Sequence, residues 1–292
     1  MNLQGLHART QVCFDPDLTR DMLTVNEQPI TGAGLERVSG LLSCVRELAG
    51  MRLFAAVESS SNFPIGAGIA SSASAFAALS LAASTAAGLQ LGERELSRLA
   101  RSGSGSACRS IPGGFVEWQA GSTDEDSYAY TIAPPEHWDL VDCIVIVSQA
   151  HKTVGSTAGH ALALTSPIQH ARVADAPRRL DICRQAILQR DFQAFAEIIE
   201  LDSNLMHAIM ITSTPPLLYW QPATLAVMRA VQELRHAGLS VAYTIDAGPN
   251  VHVLTPAASA SQVVAHLAQL DGVQQVLTAA PGGPAVLVAD SC

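Results

Sequence analysis

The sequence predicts an α+β fold in two units, residues 1–160 and 161–292, and three observations predict it. Of the 292 residues, 48% are hydrophobic and 15% charged, which supplies apolar material for one large core or two ordinary ones. Short runs rich in Val, Ile and Tyr are interspersed with segments whose apolar residues recur at the helical period. Beyond about residue 160 the texture changes to long helical stretches followed by strands, a second α+β unit.

Taken in order, "TQVCFDP" and "DMLTVNE" read as a short hairpin and "RLFAAVESS" as a further strand. "GLERVSGLLSCVRELAG" places Leu35, Val38, Leu41, Leu42, Val45 and Leu48 on one helical face. "NFPIGAGIASSASAFAAL" is a small-residue turn running into a compact helix, with Ser71 or Ser72 as its cap. "GERELSRLARSG" is a helix closed by Gly103. "GGFVEWQAG", "SYAYTIA" and "LVDCIVIVS" read as strands. In the second unit, "RRLDICRQAILQRDFQAFAEIIELDSNLMHAIM" is one long helical stretch, and "PATLAVMRAVQELRHAG" is a helix opened by Pro222 and closed by Gly238. "SVAYTID", "NVHVLTP" and "AVLVA" are strands, and "ASQVVAHLAQL" a helix.

The formal net charge of −9 argues against nucleic acid or an anionic membrane as partner, while leaving room for a small anionic ligand held by local amides and arginines. Six scattered cysteines without a C-x-x-C pair suggest reduced thiols and a cytoplasmic protein, with neither a zinc site nor a disulfide framework. The N-terminus lacks a signal-peptide pattern, and no apolar run is long enough for a membrane span.

Four stretches carry candidate chemistry. In the first, Gly66, Ala67 and Gly68 leave backbone N–H groups open at a helix start, a place to hold phosphate, although a purely structural tight turn has the same composition. In the second, "RSGSGSACRSIPGGF", Ser104, Ser106 and Arg109 are either a serine-rich connection with a surface arginine or two hydroxyls and a forked cation converging on anionic oxygens. In the third, "AYTIDAGPNVHV", an apolar strand ends in Asp246 beside a Gly-Pro turn. That aspartate is a turn former, or a base mounted at a strand end. In the fourth, "ELDSNLMHA", Asp202 shares a helical face with Met206 and Ser203 with His207, which solvated helix polarity also explains.

Together "NFPIGAGIASSASAFAAL", "GSGSACRS", "GGFVEW", "SNLMHA" and "AYTIDAGPN" resemble, in the same order, the motifs of the diphosphomevalonate decarboxylase family of the GHMP kinase superfamily. The resemblance runs from about Leu3 to "PGGPAVLV". It implies a ribosomal-protein-like N-terminal domain that binds ATP, a ferredoxin-like C-terminal domain, a likeness to homodimers, and ATP, Mg²⁺ and a phosphorylated mevalonate as ligands. Under it Asp246 is the base at the 3-hydroxyl, and Arg109 holds the carboxylate by a two-pronged hydrogen bond. Ser106 acts at the same centre. Asn62, Gly66, Ala67, Gly68, Ala70, Ser71, Ser72 and Ser104 hold the nucleotide. Arg37, Ser104, Asn204 and His207 join Arg109 on the substrate, and Mg²⁺ rides on ATP.

Family members normally begin with a few dozen more residues, including a "KYWGK"-like segment, so the resemblance implies a late start codon or a truncated chain. Ser61 stands where the family usually has Asn, and the stretch after Gly283 is short. Three other readings accompany decarboxylation of the diphosphate: decarboxylation of mevalonate 5-phosphate, a kinase acting on the 3-hydroxyl alone, and a nucleotide-binding paralogue with weak or no activity.

Overall fold

A computed structural model describes residues 1–64, 71–150 and 156–288. Most of the chain up to Pro135, with the stretch from Gly282, forms one compact unit, and Glu136–Pro281 forms the other. The division thus falls earlier than the sequence suggested, and the strand over "LVDCIVIVS" belongs to the second unit.

The first unit opens with β1 (Ala8–Asp15), β2 (Met22–Val25) and β3 (Gln28–Pro29), followed by α1 (Ala33–Ala49) and β4 (Phe54–Ser61). The expected β1–β2 hairpin does not form. The sheet order is β1-β4-β2-β3, with β1 antiparallel and β2 parallel to β4. Asp21, between the strands, explains the detour: its buried carboxylate accepts the Ala55 N–H at 3.0 Å and Arg46 of α1 at 2.9 Å, tying the entry to β2 to the start of β4. Helices α2 (Ser71–Ala86) and α3 (Glu93–Gly103) follow. The faces of α1, α2 and α3 meet in a core of Leu41, Leu42, Val45, Phe76, Ala83, Leu99 and Ala100 against Ala55 and Val57. Ser71 and Ser72 are the first two residues of α2 rather than its cap.

Gly103 does not close α3 in a left-handed conformation, since the residue that caps the helix is the extended Ser104. Its lack of a side chain is required for packing: a Cβ there would run into the ring of Phe76 and approach Leu41 Cδ1 to 2.9 Å. A 3-10 turn (Gly105–Ser110) leads to the two-stranded sheet of β5 (Phe115–Gln119) and β6 (Tyr128–Ala133).

The second unit contains β7 (Leu140–Ile146), α4 (Ser156–Ala163), α5 (Gln169–Gln189), α6 (Phe192–Ile211), α7 (Pro222–His236), β8 (Ala242–Thr244), β9 (Val251–Pro256), α8 (Ala257–Leu267) and β10 (Gln275–Ala279). Its antiparallel sheet runs β10-β7-β9-β8. Val227, Val231, Val263 and Leu267 of α7 and α8 cover Cys143, Val145, Val251, Val253 and Tyr243 on one face. The single helical stretch expected before α7 is two helices. Arg190 turns left-handed at φ 56°, and Asp191 caps α6 by accepting the Ala194 N–H at 3.1 Å. The buried Arg179 ties α5 to α6 by donating to Asp202 at 2.9 Å, while Asp175 one turn back on α5 holds the same guanidinium at 2.9 Å. The fourth strand of this sheet is "QVLTA", not "AVLVA". Residues 285–288 carry no strand pairing, and Val286, Leu287 and Val288 are exposed.

Candidate functional site

Two groups of predicted residues take shape, one in each unit. In the first, Arg37 projects from α1, lays its guanidinium 4.7 Å over the Phe76 ring and donates to the Gly103 carbonyl at 3.0 Å. One arginine therefore steadies the end of α3 where Ser104 begins. The 3-10 turn after it is fixed from below. Buried Ser97 donates to the Cys108 carbonyl at 3.1 Å and accepts the Ala129 N–H at 2.8 Å, while the Cys108 thiol points to the Gly105 carbonyl at 3.0 Å. Ala107 and Cys108 are fully buried. Arg109, the next residue, is exposed, its guanidinium 5.9 Å from the Trp118 ring centre. Ser104 and Ser106 are half-buried on the same turn. A buried cysteine anchors the turn and a flat cation leaves it, which leaves a forked donor free to meet a carboxylate or phosphate.

Asn62 is used otherwise in this structure: its side chain donates to the Gly5 carbonyl at 2.7 Å and accepts the His7 N–H at 2.9 Å, pinning the start of β1. Gly66, Ala67, Gly68 and Ala70 lie outside the described residues. Ser71 and the exposed Ser72 stand at the N-terminal end of α2, the end that favours anions.

In the second unit, α6 presents Glu200, Ser203, Asn204 and His207 at helical spacing along one face, and all four grip the strand that leads to Asp246. Glu200 accepts the Tyr243 N–H at 3.1 Å, Asn204 donates to the Tyr243 hydroxyl at 3.1 Å, Ser203 accepts the Ile245 N–H at 2.9 Å, and His207 Nε2 meets the Ile245 carbonyl at 3.2 Å. His207 is 1% exposed, and burial pushes its imidazole down to about 4 against the opposing influence of the Ile245 backbone and the Asp246 carboxylate. The sequence reading put His207 and Asn204 on the substrate; in the structure His207 stands behind the Asp246 turn, and Asn204 bonds the Tyr243 hydroxyl.

Beyond Ile245 the turn is anchored residue by residue. Gly248 N–H donates to the Asp246 carbonyl at 2.7 Å, and the fully buried Thr224 donates to the Pro249 carbonyl at 2.7 Å. The fully buried Asn250 side chain accepts the N–H groups of Val147 and Ser148 at 2.8 and 3.0 Å and donates to the Ser148 carbonyl at 2.9 Å. Asp246 itself is exposed. An accessible carboxylate on a backbone with so little freedom is suited to taking a proton at a fixed place.

Sequence reasoning missed Asp142 and His252, which join at 2.8 Å across β7 and β9. Burial alone would lower His252, but Asp142, with Asp246 adding, outweighs it and holds the imidazole up at about 9. A pair 110 residues apart leaves no local signal. Among the described residues no group of three or more His, Cys, Asp or Glu could hold a metal ion. The hydroxyls and guanidinium at 104–109 are donors, which fits phosphate oxygens better than a bare cation.

Two family models match the chain: the diphosphomevalonate decarboxylase-like N-terminal domain over residues 1–129 and the mevalonate 5-diphosphate decarboxylase C-terminal domain over residues 143–284. The diphosphomevalonate decarboxylase of Ganoderma lucidum is 36% identical over 287 residues, spanning 89% of this chain and 70% of that protein. Among solved structures, MDDEF in complex with MVAPP, AMPPCP and magnesium superposes with a TM-score of 0.91 at 35% identity, covering 97% of this chain and 87% of that one. The mevalonate diphosphate decarboxylase of Enterococcus faecalis, described by its mevalonate diphosphate-mediated ATP binding, gives 0.89 at 34% identity with the same coverage.

Proposed function

The chain belongs to the diphosphomevalonate decarboxylase family, with its GHMP kinase-type fold, and we infer that it decarboxylates mevalonate 5-diphosphate to isopentenyl diphosphate using ATP and Mg²⁺. A 3-hydroxy acid has no carbonyl to receive the electrons left when CO₂ departs. The hydroxyl must instead leave as those electrons form the new double bond. ATP with Mg²⁺ supplies the phosphoryl group that makes the hydroxyl oxygen a leaving group.

The chain's own residues do the rest. Asp246 takes the 3-hydroxyl proton onto its carboxylate, and Arg109 orients the substrate carboxylate through its forked donors. Ser104, Ser106, Ser71 and Ser72 donate to phosphate oxygens, and Arg37 reaches the 5-diphosphate. The observation that carries the reading is the anchored turn: the backbones of Ile245, Gly248 and Pro249 and the Asp246 carbonyl are hydrogen-bonded while Asp246 stays exposed. A dimeric, cytoplasmic enzyme is part of the same proposal. It is supported by exposed Val173 and Leu180 on α5 and by the finding that no helix among the described residues is long and apolar enough to cross a membrane.

The experiment is a paired assay of ADP formation and CO₂ release from mevalonate 5-diphosphate, with mevalonate 5-phosphate alongside. Equal ADP and CO₂ from the diphosphate is the expected result. ADP without CO₂ would make the protein a kinase, and preference for the monophosphate would move the substrate assignment.

A further inference from the structure

We propose that His207 is a positioning residue for the general base: its ring N–H holds the Ile245 carbonyl and so fixes the peptide from which Asp246 projects. The inference rests on the reading of Asp246 as base. It begins with where the sheet stops. Pairing of β8 with β9 ends at Thr244 opposite His252, so neither polar group of the Ile245 backbone has a partner in that ladder. Yet Ile245 is 2% exposed, and an unpaired peptide group there would be costly.

Two side chains one helical turn apart on α6 take over. Ser203 accepts the Ile245 N–H at 2.9 Å, and His207 Nε2 stands 3.2 Å from the Ile245 oxygen. A carbonyl only accepts, so Nε2 carries the proton and Nδ1 is bare. The imidazole stays neutral at ordinary working pH, its titration pushed down to about 4. The ring is itself held: Trp220 lies 4.9 Å away at a 36° tilt, and Tyr219 meets it edge-on at 6.1 Å. His207 is closed off from solvent, which suits a group acting through the backbone rather than on the substrate. Without the imidazole the Ile245 carbonyl keeps only the longer bond from the Ser203 hydroxyl, at 3.3 Å, and the peptide leading into Asp246 gains freedom to tilt. Small misplacements of a reacting group can cost about a hundredfold in rate.

The test compares His207→Met with His207→Gln in the full chain, because the two side chains match in length and volume but only Gln places a donor near the Nε2 position. The expected result is a fall in kcat of about 10- to 100-fold for His207→Met, with KM for both substrates changed little, and recovery to within about threefold of the parent in His207→Gln. In the Asp246→Asn background, His207→Met should cause little further loss of turnover, since its effect runs through the carboxylate already removed. Parental turnover in a folded His207→Met protein would overturn the proposal. So would a His207→Gln protein that folds but loses as much activity as the Met variant, and that comparison with the parent stands alone if His207→Met does not fold. If Asp246→Asn by itself turns over normally, the base assignment fails instead, which keeps the two failures distinct.

Discussion

Replacing Asn250 with Leu keeps the side-chain volume while removing three hydrogen bonds that join the Asp246 turn to the end of β7. The structure sets the magnitude. Asn250 is fully buried and serves the N–H groups of Val147 and Ser148 and the Ser148 carbonyl at 2.8, 3.0 and 2.9 Å. Val147 is 5% exposed, so its N–H would be stranded away from water, whereas the half-buried Ser148 can recover part of its loss from solvent. At about 1–3 kcal/mol for each stranded buried group, with the Ser148 pair counted at the lower end, the expected destabilisation is about 3–5 kcal/mol. The assay is urea unfolding followed by tryptophan fluorescence, two of the three tryptophans, Trp138 and Trp220, lying in the second unit. With a slope of about 3 kcal/mol per molar, the midpoint should fall by about 1–1.7 M without a change in slope. Asn250→Asp, which keeps the two acceptances but loses the donor, should fall between Leu and parent. An Asn250→Leu midpoint equal to the parent's would refute the view that this side chain anchors the turn.

Three further outcomes follow from the same geometry. Gly103→Ala forces a methyl group against Phe76 and Leu41 and should destabilise the first unit by about 1–3 kcal/mol in thermal unfolding while raising KM for mevalonate 5-diphosphate; an unchanged Tm would contradict the packing assigned to Gly103. Arg109→Lys keeps the charge but not the fork, so kcat/KM should fall by about tenfold or more with ATP affinity little changed, as read by titration calorimetry. Stability should peak near pH 6.5. His207, held at about 4 in the fold, contributes about 3 kcal/mol that is present above 6.5 and lost as pH falls toward 4, whereas His252, held at about 9, contributes stability present below 6.5 and lost as pH rises through 9. Urea midpoints across pH 4–9 check this, and His252→Gln should flatten only the alkaline limb.

Where a sequence signal is local, the structure follows it. Val38, Leu41, Leu42 and Val45 became the buried face of α1 (Leu35 is partly buried and Leu48 exposed), Pro222 opens α7, and "AYTID" ends in an exposed Asp246 on a tight turn. Long-range choices were not legible. Strand β2 pairs with β4 because Asp21 reaches both Ala55 and Arg46, contacts that no hairpin pattern contains. The break between α5 and α6 had a local sign, Asp191 as a cap, hidden because Arg190 takes a left-handed conformation more usual for glycine. Gly103, read as the residue that closes α3, is its last residue, but its missing side chain serves packing against Phe76 rather than a left-handed turn, a distinction composition cannot make. At the site, the spacing of Ser203 and His207 on one helix was visible beforehand. That this face grips Ile245 rather than a ligand depends on where β8 ends, which only the fold determines.

The central claim is that Asp246 is the base that takes the 3-hydroxyl proton, and Asp246→Asn tests it most directly because Asn is nearly isosteric yet cannot accept that proton. The measurement is CO₂ release from mevalonate 5-diphosphate at saturating ATP and Mg²⁺, with Tm and ATP binding recorded on the same preparation. The account predicts a loss in kcat of about a hundredfold or more, with melting temperature and ATP affinity close to the parent's. Parental CO₂ release from the folded Asp246→Asn protein would contradict it.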